Sequence, residues 1–386
     1  MKSCPYFVTK PNRKGALRAL FDLRYNNKPV ASFHISAMSY FRPAIDAMTG
    51  YVPGEQPKSG IKVIKLNTNE NPYPPSHNAI ATLQNIDSDA LRRYPDPFAH
   101  EFCQAVSEAL GVPTDWIIVG NGSDDVLNIL IRACAEGCDR KVVYPMPTYV
   151  LYRTLSAMQP AEIVEVPYDE NFQLPIAELV AANGAVTFIA SPNSPSGHIV
   201  PLDDLRQLAQ QVSGIVAIDE AYVDFAEYSA LPLVHEFDNV IVLRTLSKGY
   251  SLAGLRLGFG IANPQLLSGL FKVKDSYNID AIAIAMGTAA MRDQEYKKAN
   301  AEKVKISRTK LSQNLENLGF TVFESHGNFV LATPPKGNAE EIYLKLKEAG
   351  ILVRYFNQAG LADKLRITVG TDEQNQALVN ILTLIS

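Results

Sequence analysis

Arg244-Thr-Leu-Ser-Lys248-Gly-Tyr-Ser-Leu-Ala-Gly-Leu-Arg256-Leu-Gly-Phe-Gly260 follows the apolar run Val240–Leu243 and decides how the chain is read. The run predicts a strand over Val240–Arg244, so Thr245 to Lys248 emerge at its carboxyl end, where open α/β sheets place their ligands. The hydroxyls of Thr245 and Ser247, with Arg256 a little further on, suit a phosphate while Lys248 does covalent work. A lysine amine attacks a carbonyl only when deprotonated, so burial or nearby charge must lower its pKa. The competing reading of the same stretch is a solvated lysine after a strand, with glycines set by packing.

Working outward, further short β-branched runs predict strands over Trp116–Val119, Lys141–Tyr144, Ile163–Val166, Val186–Ala190, Gly214–Ile218 and Leu257–Ile261. Amphipathic stretches such as Asp125–Ala135 and Leu202–Gln211 lie between them. That alternation predicts a mostly parallel, doubly wound α/β sheet. Ile163–Val166 has no evident helix before the next strand, which leaves its place in the sheet open. From about residue 278 the order changes to a long polar helix over Asp293–Leu318, strands at Phe320–Phe323 and Asn328–Ala332, and a helix over Ala339–Ala349. Strands at Ile351–Arg354 and Leu365–Val369 and a last helix from Asp372 complete it, and the pattern predicts a smaller α+β C-terminal domain. The expected organisation is an extension over 1–35, an arm over 36–75 crossing a surface, a large domain over 76–277 and a small one over 278–386.

Four more segments sit at predicted strand ends. Val216-Ala-Ile-Asp219-Glu220-Ala-Tyr222 puts a carboxylate in the crevice, where it needs a cation. A protonated pyridine nitrogen supplies one, and the ring becomes an electron sink; a plain turn cap is the alternative. In Ser191-Pro-Asn193-Ser-Pro-Ser-Gly197 the prolines, Asn and Gly fix a turn, and Asn193 is able to donate to a phenolate oxygen. Gly120-Asn-Gly122-Ser123-Asp124 opens a helix whose free N–H groups suit a phosphate, though it is not G-x-G-x-x-G. Tyr144-Pro-Met-Pro-Thr148-Tyr149 offers an aromatic to stack on a planar ring.

Composition excludes several classes. The 386 residues carry a net charge of −4, with no clustered basic excess of the kind nucleic-acid binding requires. No apolar run reaches the ~18 residues of a membrane span; Ala281–Met291 is too short. Cys4, Cys103, Cys134 and Cys138 are too few and scattered for a disulfide scaffold. Cys134 and Cys138 are expected on one helix face, but no second Cys/His pair with zinc spacing joins them, so no metal site is expected. Residues 1–35 hold seven basic side chains and one acid. They read as a leader without fixed structure or an extended start, with an Arg-rich transit peptide as the alternative; the broken apolar run Gly15–Leu23 argues against a secretory signal.

The order of these segments, from phosphate turn through aromatic, Asn turn and Asp strand end to Ser-x-Lys and Arg, resembles the fold type I pyridoxal-phosphate-dependent aminotransferases from about residue 38 to the end. Within them the chain is similar to the histidinol-phosphate aminotransferase family. The strings that carry the likeness are Tyr51-Val-Pro-Gly54, Leu66-Asn-Thr-Asn-Glu-Asn-Pro-Tyr73, Arg93-Tyr94-Pro-Asp96, Arg244-Thr-Leu-Ser-Lys248 and Leu365-Arg366-Ile-Thr-Val-Gly-Thr371.

The resemblance implies pyridoxal 5'-phosphate as cofactor, with Lys248 as its covalent anchor and the proton shuttle. Asp219 would pair with the pyridinium nitrogen, Asn193 and Tyr222 would hold the ring oxygen, and Tyr149 would stack on the ring. The phosphate would meet the Ser123 and Asp124 backbone, the side chains of Thr245, Ser247 and Arg256, and Tyr94 of a second subunit. Arg366 would take a carboxylate through a bidentate fork, Arg354 the substrate phosphate, and Tyr51 and Asn69 would form the substrate-facing wall. The implied reaction joins L-histidinol phosphate and 2-oxoglutarate to imidazole acetol phosphate and glutamate, in a cytoplasmic homodimer of histidine biosynthesis with shared active sites, and with neither nucleic acid nor membrane as partner. An aromatic amino-acid aminotransferase and a threonine-phosphate decarboxylase are the alternatives with similar machinery; a regulatory protein that has lost turnover is disfavoured by the presence of Lys248. Asp125, Ser191, Ser194 and Gly249-Tyr250 depart from the commonest family wording without removing a cofactor-contacting group.

Overall fold

The apolar runs become strands because their side chains are covered on both faces by helices, and the computed structural model describes residues 39–48, 50, 54–57, 60 and 63–385. In chain order the strands are β1 (Ile64–Lys65), β2 (Ile117–Gly120), β3 (Gly137–Met146), β4 (Ala161–Pro167), β5 (Val186–Ala190), β6 (Ile215–Asp219) and β7 (Val240–Thr245). Then come β8 (Gly258–Ala262), β9 (Thr321–Val322), β10 (Phe329–Thr333), β11 (Ile351–Leu352), β12 (Arg354–Tyr355) and β13 (Leu365–Thr368).

Seven of them form one sheet in the order β2-β8-β7-β6-β5-β3-β4. Only β8 runs against its neighbours, pairing antiparallel with both β2 and β7. The remaining pairings are parallel, as expected. Buried side chains cover both faces: Val216, Ile218, Val240 and Val242 point into one core, and Ala217, Ile241 and Leu243 into the other. Strands buried on both faces read as continuous apolar runs, which is why the sequence shows them plainly. Ile163–Val166, whose place was open, becomes the edge strand β4, parallel to β3, with a short helix Ile176–Ala182 before β5.

A second, four-stranded antiparallel sheet has the order β12-β13-β10-β9. It packs with the helices Gln294–Asn317, Ala339–Glu348 and Asp372–Ile385 around a core of Val304, Leu311, Val330, Ile342, Ile367 and Leu378. Three expectations need correction. The predicted strand Ile351–Arg354 is two strands in different sheets: β11 pairs parallel with β1, whereas β12 joins β13. The arm is therefore not merely draped on a surface. Ile64 and Leu66 N–H groups donate to the Gly350 and Leu352 carbonyls at 2.9 and 2.7 Å. Cys134 and Cys138 do not share a helix face, because the helix ends at Cys134, Ala135 is extended, and Gly137 at φ +58° turns the chain into β3.

The contacts that build the site all lie within one compact unit, Pro43–Ser386. Residues 1–35 lie outside the described residues. Among the described residues no helix is long and apolar enough to cross a membrane; Ala281–Arg292 is a 12-residue helix capped by the Asp280 carboxylate.

Candidate active site

Parallel strands ending on one edge deliver their following loops to one place. A cavity of about 1010 Å³ opens there, lined by Ser123 and Asp124 after β2, Tyr149 after β3, Asp219 at the end of β6, Thr245 at the end of β7, and Lys248 beyond it. Arg256 precedes the antiparallel β8, so it reaches the same edge from the opposite chain direction. A smaller depression of about 500 Å³ lies at the amino-terminal edge, around Arg140, Asn183 and Asp238. It has no lysine and no strand-end carboxylate.

Asp219 is the electrostatic centre of the cavity. It is 4% exposed, and burial pushes its carboxyl up to about 6, with the negative charges of Asp124 and Glu220 adding to the effect. The Tyr152 hydroxyl donates to Oδ2 at 2.8 Å and the Ala221 N–H to Oδ1 at 3.1 Å, both pulling the other way. A carboxylate with two neutral donors and, among the described residues, no cation paired with it is poised to accept positive charge from whatever enters the cavity. Tyr152 is absent from the residues that the sequence singles out. Its spacing of three from Tyr149 was the available signal: Tyr149 precedes the helix Leu151–Ala157, its carbonyl accepts from the Tyr152 N–H at 3.2 Å, and the two rings meet edge-on at 5.7 Å.

Lys248 extends its Nζ to the Thr68 carbonyl, 3.2 Å away, and lies 5.6 Å from the centre of the Tyr222 ring. Its own backbone carbonyl accepts from Asn71 Nδ2 at 3.0 Å. Tyr222 is held in turn, its hydroxyl accepting from Asn69 Nδ2 at 2.9 Å, while Asn69 Oδ1 accepts from the Thr368 hydroxyl. Asn69 adopts φ +55°, a left-handed conformation that non-glycine residues rarely take and that functional loops retain at a cost. Thus Asn69, expected in the substrate-facing wall, also braces the tyrosine, and Asn71 two residues on braces the lysine backbone.

At the other end of the cavity, the helix Ser123–Cys134 starts without a side-chain cap. Gly122 stands there at φ +79°, and a Cβ on it would lie 2.6 Å from Arg256 Nη2; a Cβ on Gly258 would lie 2.2 Å from the Ser123 nitrogen. The glycines therefore keep the helix start and the guanidinium together. Thr245 Oγ1 donates to Ser247 Oγ at 2.9 Å, and Arg256 Nη2 meets Asp124 Oδ2 at 3.1 Å. Uncapped N–H groups, two hydroxyls and a guanidinium form a donor set for a phosphate. Tyr149 lies against this end, its hydroxyl donating to Asp124 Oδ1 at 3.2 Å.

The remaining predicted residues are distributed less simply. Arg354 and Arg366 line the cavity and stand opposite each other across the β12–β13 pair. Asn193 is fully buried and engaged within the protein: its Nδ2 donates to the Pro147 carbonyl and Ser196 Oγ, and its Oδ1 accepts from Thr148. The expected donation to a ring oxygen would have to share that amide with both internal acceptors. Tyr94 is 80% exposed, stacked on Tyr277 and away from this chain's cavity lining. Tyr51 lies outside the described residues. Among the described residues no cluster of His, Cys, Asp and Glu is placed to hold a metal ion.

A strand-edge lysine, a buried carboxylate calling for a cation and a phosphate cradle fit pyridoxal 5'-phosphate at each of its polar ends. The family model for class I and II aminotransferases, which depend on that cofactor, matches residues 61–382, and the chain belongs to this family. It is 68% identical over 344 residues to histidinol-phosphate aminotransferase 1 of Trichormus variabilis, covering 89% of this chain and 98% of that protein. The Rhodopirellula baltica histidinol-phosphate aminotransferase is 44% identical over 341 residues, covering 87% and 93%. Likeness of that extent makes the chain a member of the histidinol-phosphate aminotransferases. In three dimensions it is similar to the crystal structure of the Sinorhizobium meliloti histidinol-phosphate aminotransferase in complex with pyridoxal-5'-phosphate, with a TM-score of 0.82 and 26% identity over 91% of this chain and all of that one.

Proposed function

We propose that the chain exchanges an amino group between L-histidinol phosphate and 2-oxoglutarate, yielding imidazole acetol phosphate and glutamate and running in the opposite sense in biosynthesis. The observation that carries this reading is one cavity that gathers Lys248, Asp219 and two opposed arginines in a chain so similar to enzymes of that name. Bound pyridoxal phosphate supplies an electron sink for the substrate carbon that carries the amine.

The residues divide the remaining work. Asp219 holds the positive charge of the ring nitrogen, Tyr222 and Asn193 meet the ring oxygen, and Tyr149 covers the ring face. The Ser123 and Asp124 backbone with Thr245, Ser247 and Arg256 bind the phosphate. Lys248 anchors the cofactor, and its freed Nζ takes the proton from the substrate carbon and returns it. Arg366 forks the glutamate carboxylate and Arg354 takes the substrate phosphate, with Asn69 and Tyr51 on the wall.

The enzyme acts as a cytoplasmic homodimer in which Tyr94 reaches the partner's cofactor phosphate. Supporting this, Leu91, Tyr94, Phe98 and Tyr277 are exposed apolar or aromatic groups, with Tyr94 stacked on Tyr277, and contiguous exposed apolar surface marks interaction sites. The described cysteines are free thiols, in keeping with a reducing compartment.

The deciding experiment is a single turnover of the purified holoenzyme with L-histidinol phosphate, followed through the near-visible absorption of the lysine-bound cofactor. L-phenylalanine and Lys248→Ala are run beside it. Fast loss of that absorption with histidinol phosphate and slow loss with phenylalanine is expected; the reverse order would make the enzyme an aromatic aminotransferase.

A further inference from the structure

The two arginines of the cavity stand in an arrangement that like charges normally avoid. Arg354 and Arg366 are direct partners in the antiparallel β12–β13 register, so their side chains leave the same face of the sheet, and like charges so opposed repel. Arg366 is fixed: Nη1 donates to Ser194 Oγ at 2.9 Å and Nη2 to the Asn67 carbonyl at 2.8 Å. Arg354 has no ion pair with a described residue. What meets it is the ring of Phe356, whose centre lies 5.2 Å from its Cζ and 5.6 Å from the Cζ of Arg366. One aromatic ring thus serves both guanidinium groups, and the same ring lines the cavity.

We propose that Phe356 is a specificity-determining residue: its ring holds Arg354 beside the fixed Arg366, so that the pair selects substrates carrying two negative charges over those carrying one. This rests on the reading above, in which these arginines face substrate. The ring attracts each cation through its negative face, offsetting their repulsion while the cavity is empty of substrate. A phosphate monoester near neutral pH carries close to two charges, and glutamate carries two carboxylates; either satisfies the pair. An amino acid with a single carboxylate leaves one cation uncompensated. Phe356 lies one residue past the end of β12, outside the ladder, and its carbonyl accepts from the Gln358 N–H at 2.9 Å.

The test is a double-mutant cycle on the holoenzyme with Phe356→Leu, Arg354→Met and the pair together, reading KM and kcat for L-histidinol phosphate and for glutamate in separate half-reactions. Phe356→Leu is expected to raise KM about tenfold for both substrates, the size of a desolvated cation–ring contact, with kcat within about twofold. Phe356→Tyr keeps the ring and should keep the KM. In the Arg354→Met background the Phe356→Leu change should add less than about twofold, because no second cation remains to be held. A tenfold rise that persists in that background, a loss confined to kcat, or no change at all overturns the proposal. Phe356→Met replaces Phe356→Leu if the latter does not fold. Should the wild type leave histidinol phosphate unchanged, the proposed function falls, and the glutamate half-reaction alone decides the role of Phe356.

Discussion

Asp219→Asn tests the electrostatic core of the site with the cofactor removed. In the free protein the carboxyl is lifted from 3.8 to about 6, chiefly by burial. The folded state therefore holds this proton more tightly than the unfolded chain. Stability from this group is complete below about pH 4 and is lost as pH rises through about 6, in total about 3 kcal/mol at 1.36 kcal/mol per unit. Roughly half of that loss falls between pH 5 and pH 8. Asparagine cannot ionise, so the variant escapes the loss. It pays a pH-independent cost instead, because its NH₂ replaces one of the two oxygens that accept from Tyr152 and Ala221. Urea unfolding of both cofactor-free proteins from pH 5 to pH 8 should show the wild type losing about 1.5 kcal/mol relative to Asp219→Asn. Adding pyridoxal phosphate at pH 8 should restore the wild type, which gains a cation beside its carboxylate, and help the variant less. Parallel pH profiles for the two proteins would refute the claim that Asp219 is a desolvated charge awaiting a partner.

Other expectations follow from single contacts. His198 is half-buried, and desolvation of its ring pushes its pKa down to about 4, so the unfolded chain protonates first as pH falls below 6.5 and stability drops. His198→Gln should flatten that acid limb, by up to about 3 kcal/mol between pH 7 and pH 4 in unfolding experiments. Gly249→Ala would put a Cβ 2.1 Å from the Asp224 carboxylate, which is paired with Lys297 at 2.8 Å. Calorimetry should show a destabilisation of about 1–3 kcal/mol. Mixing inactive Lys248→Ala with Tyr94→Ala subunits should recover activity from the hybrid dimers, each of which keeps one intact site; no recovery on exchange would show that Tyr94 does not act across subunits.

Much of the frame lies in local sequence. Val240–Thr245 and Ile215–Asp219 are continuous apolar runs because both of their faces are buried, and the residue at the end of such a run must emerge at the sheet edge. Lys248, Asp219, Thr245 and Ser123 were therefore placeable from pattern alone. Gly122 at the helix start and Gly258 at the head of β8 are glycines because a Cβ on them would meet Arg256 and the Ser123 nitrogen.

Tertiary structure decided which side chains meet. Nothing local shows that Tyr152 donates to Asp219, 67 positions away, or that the Asn193 amide donates to the Pro147 carbonyl and Ser196 hydroxyl. Breaking Ile351–Arg354 into two strands of different sheets depended on Ile64–Lys65 arriving to claim the first half, a contact between segments far apart in the chain. The same division set β12 against β13 and so put Arg354 opposite Arg366. Periodicity and chain termini of elements are written in neighbouring residues, whereas register is fixed by the packing of whole elements. A shift of one residue there would send an arginine to the other face of the sheet.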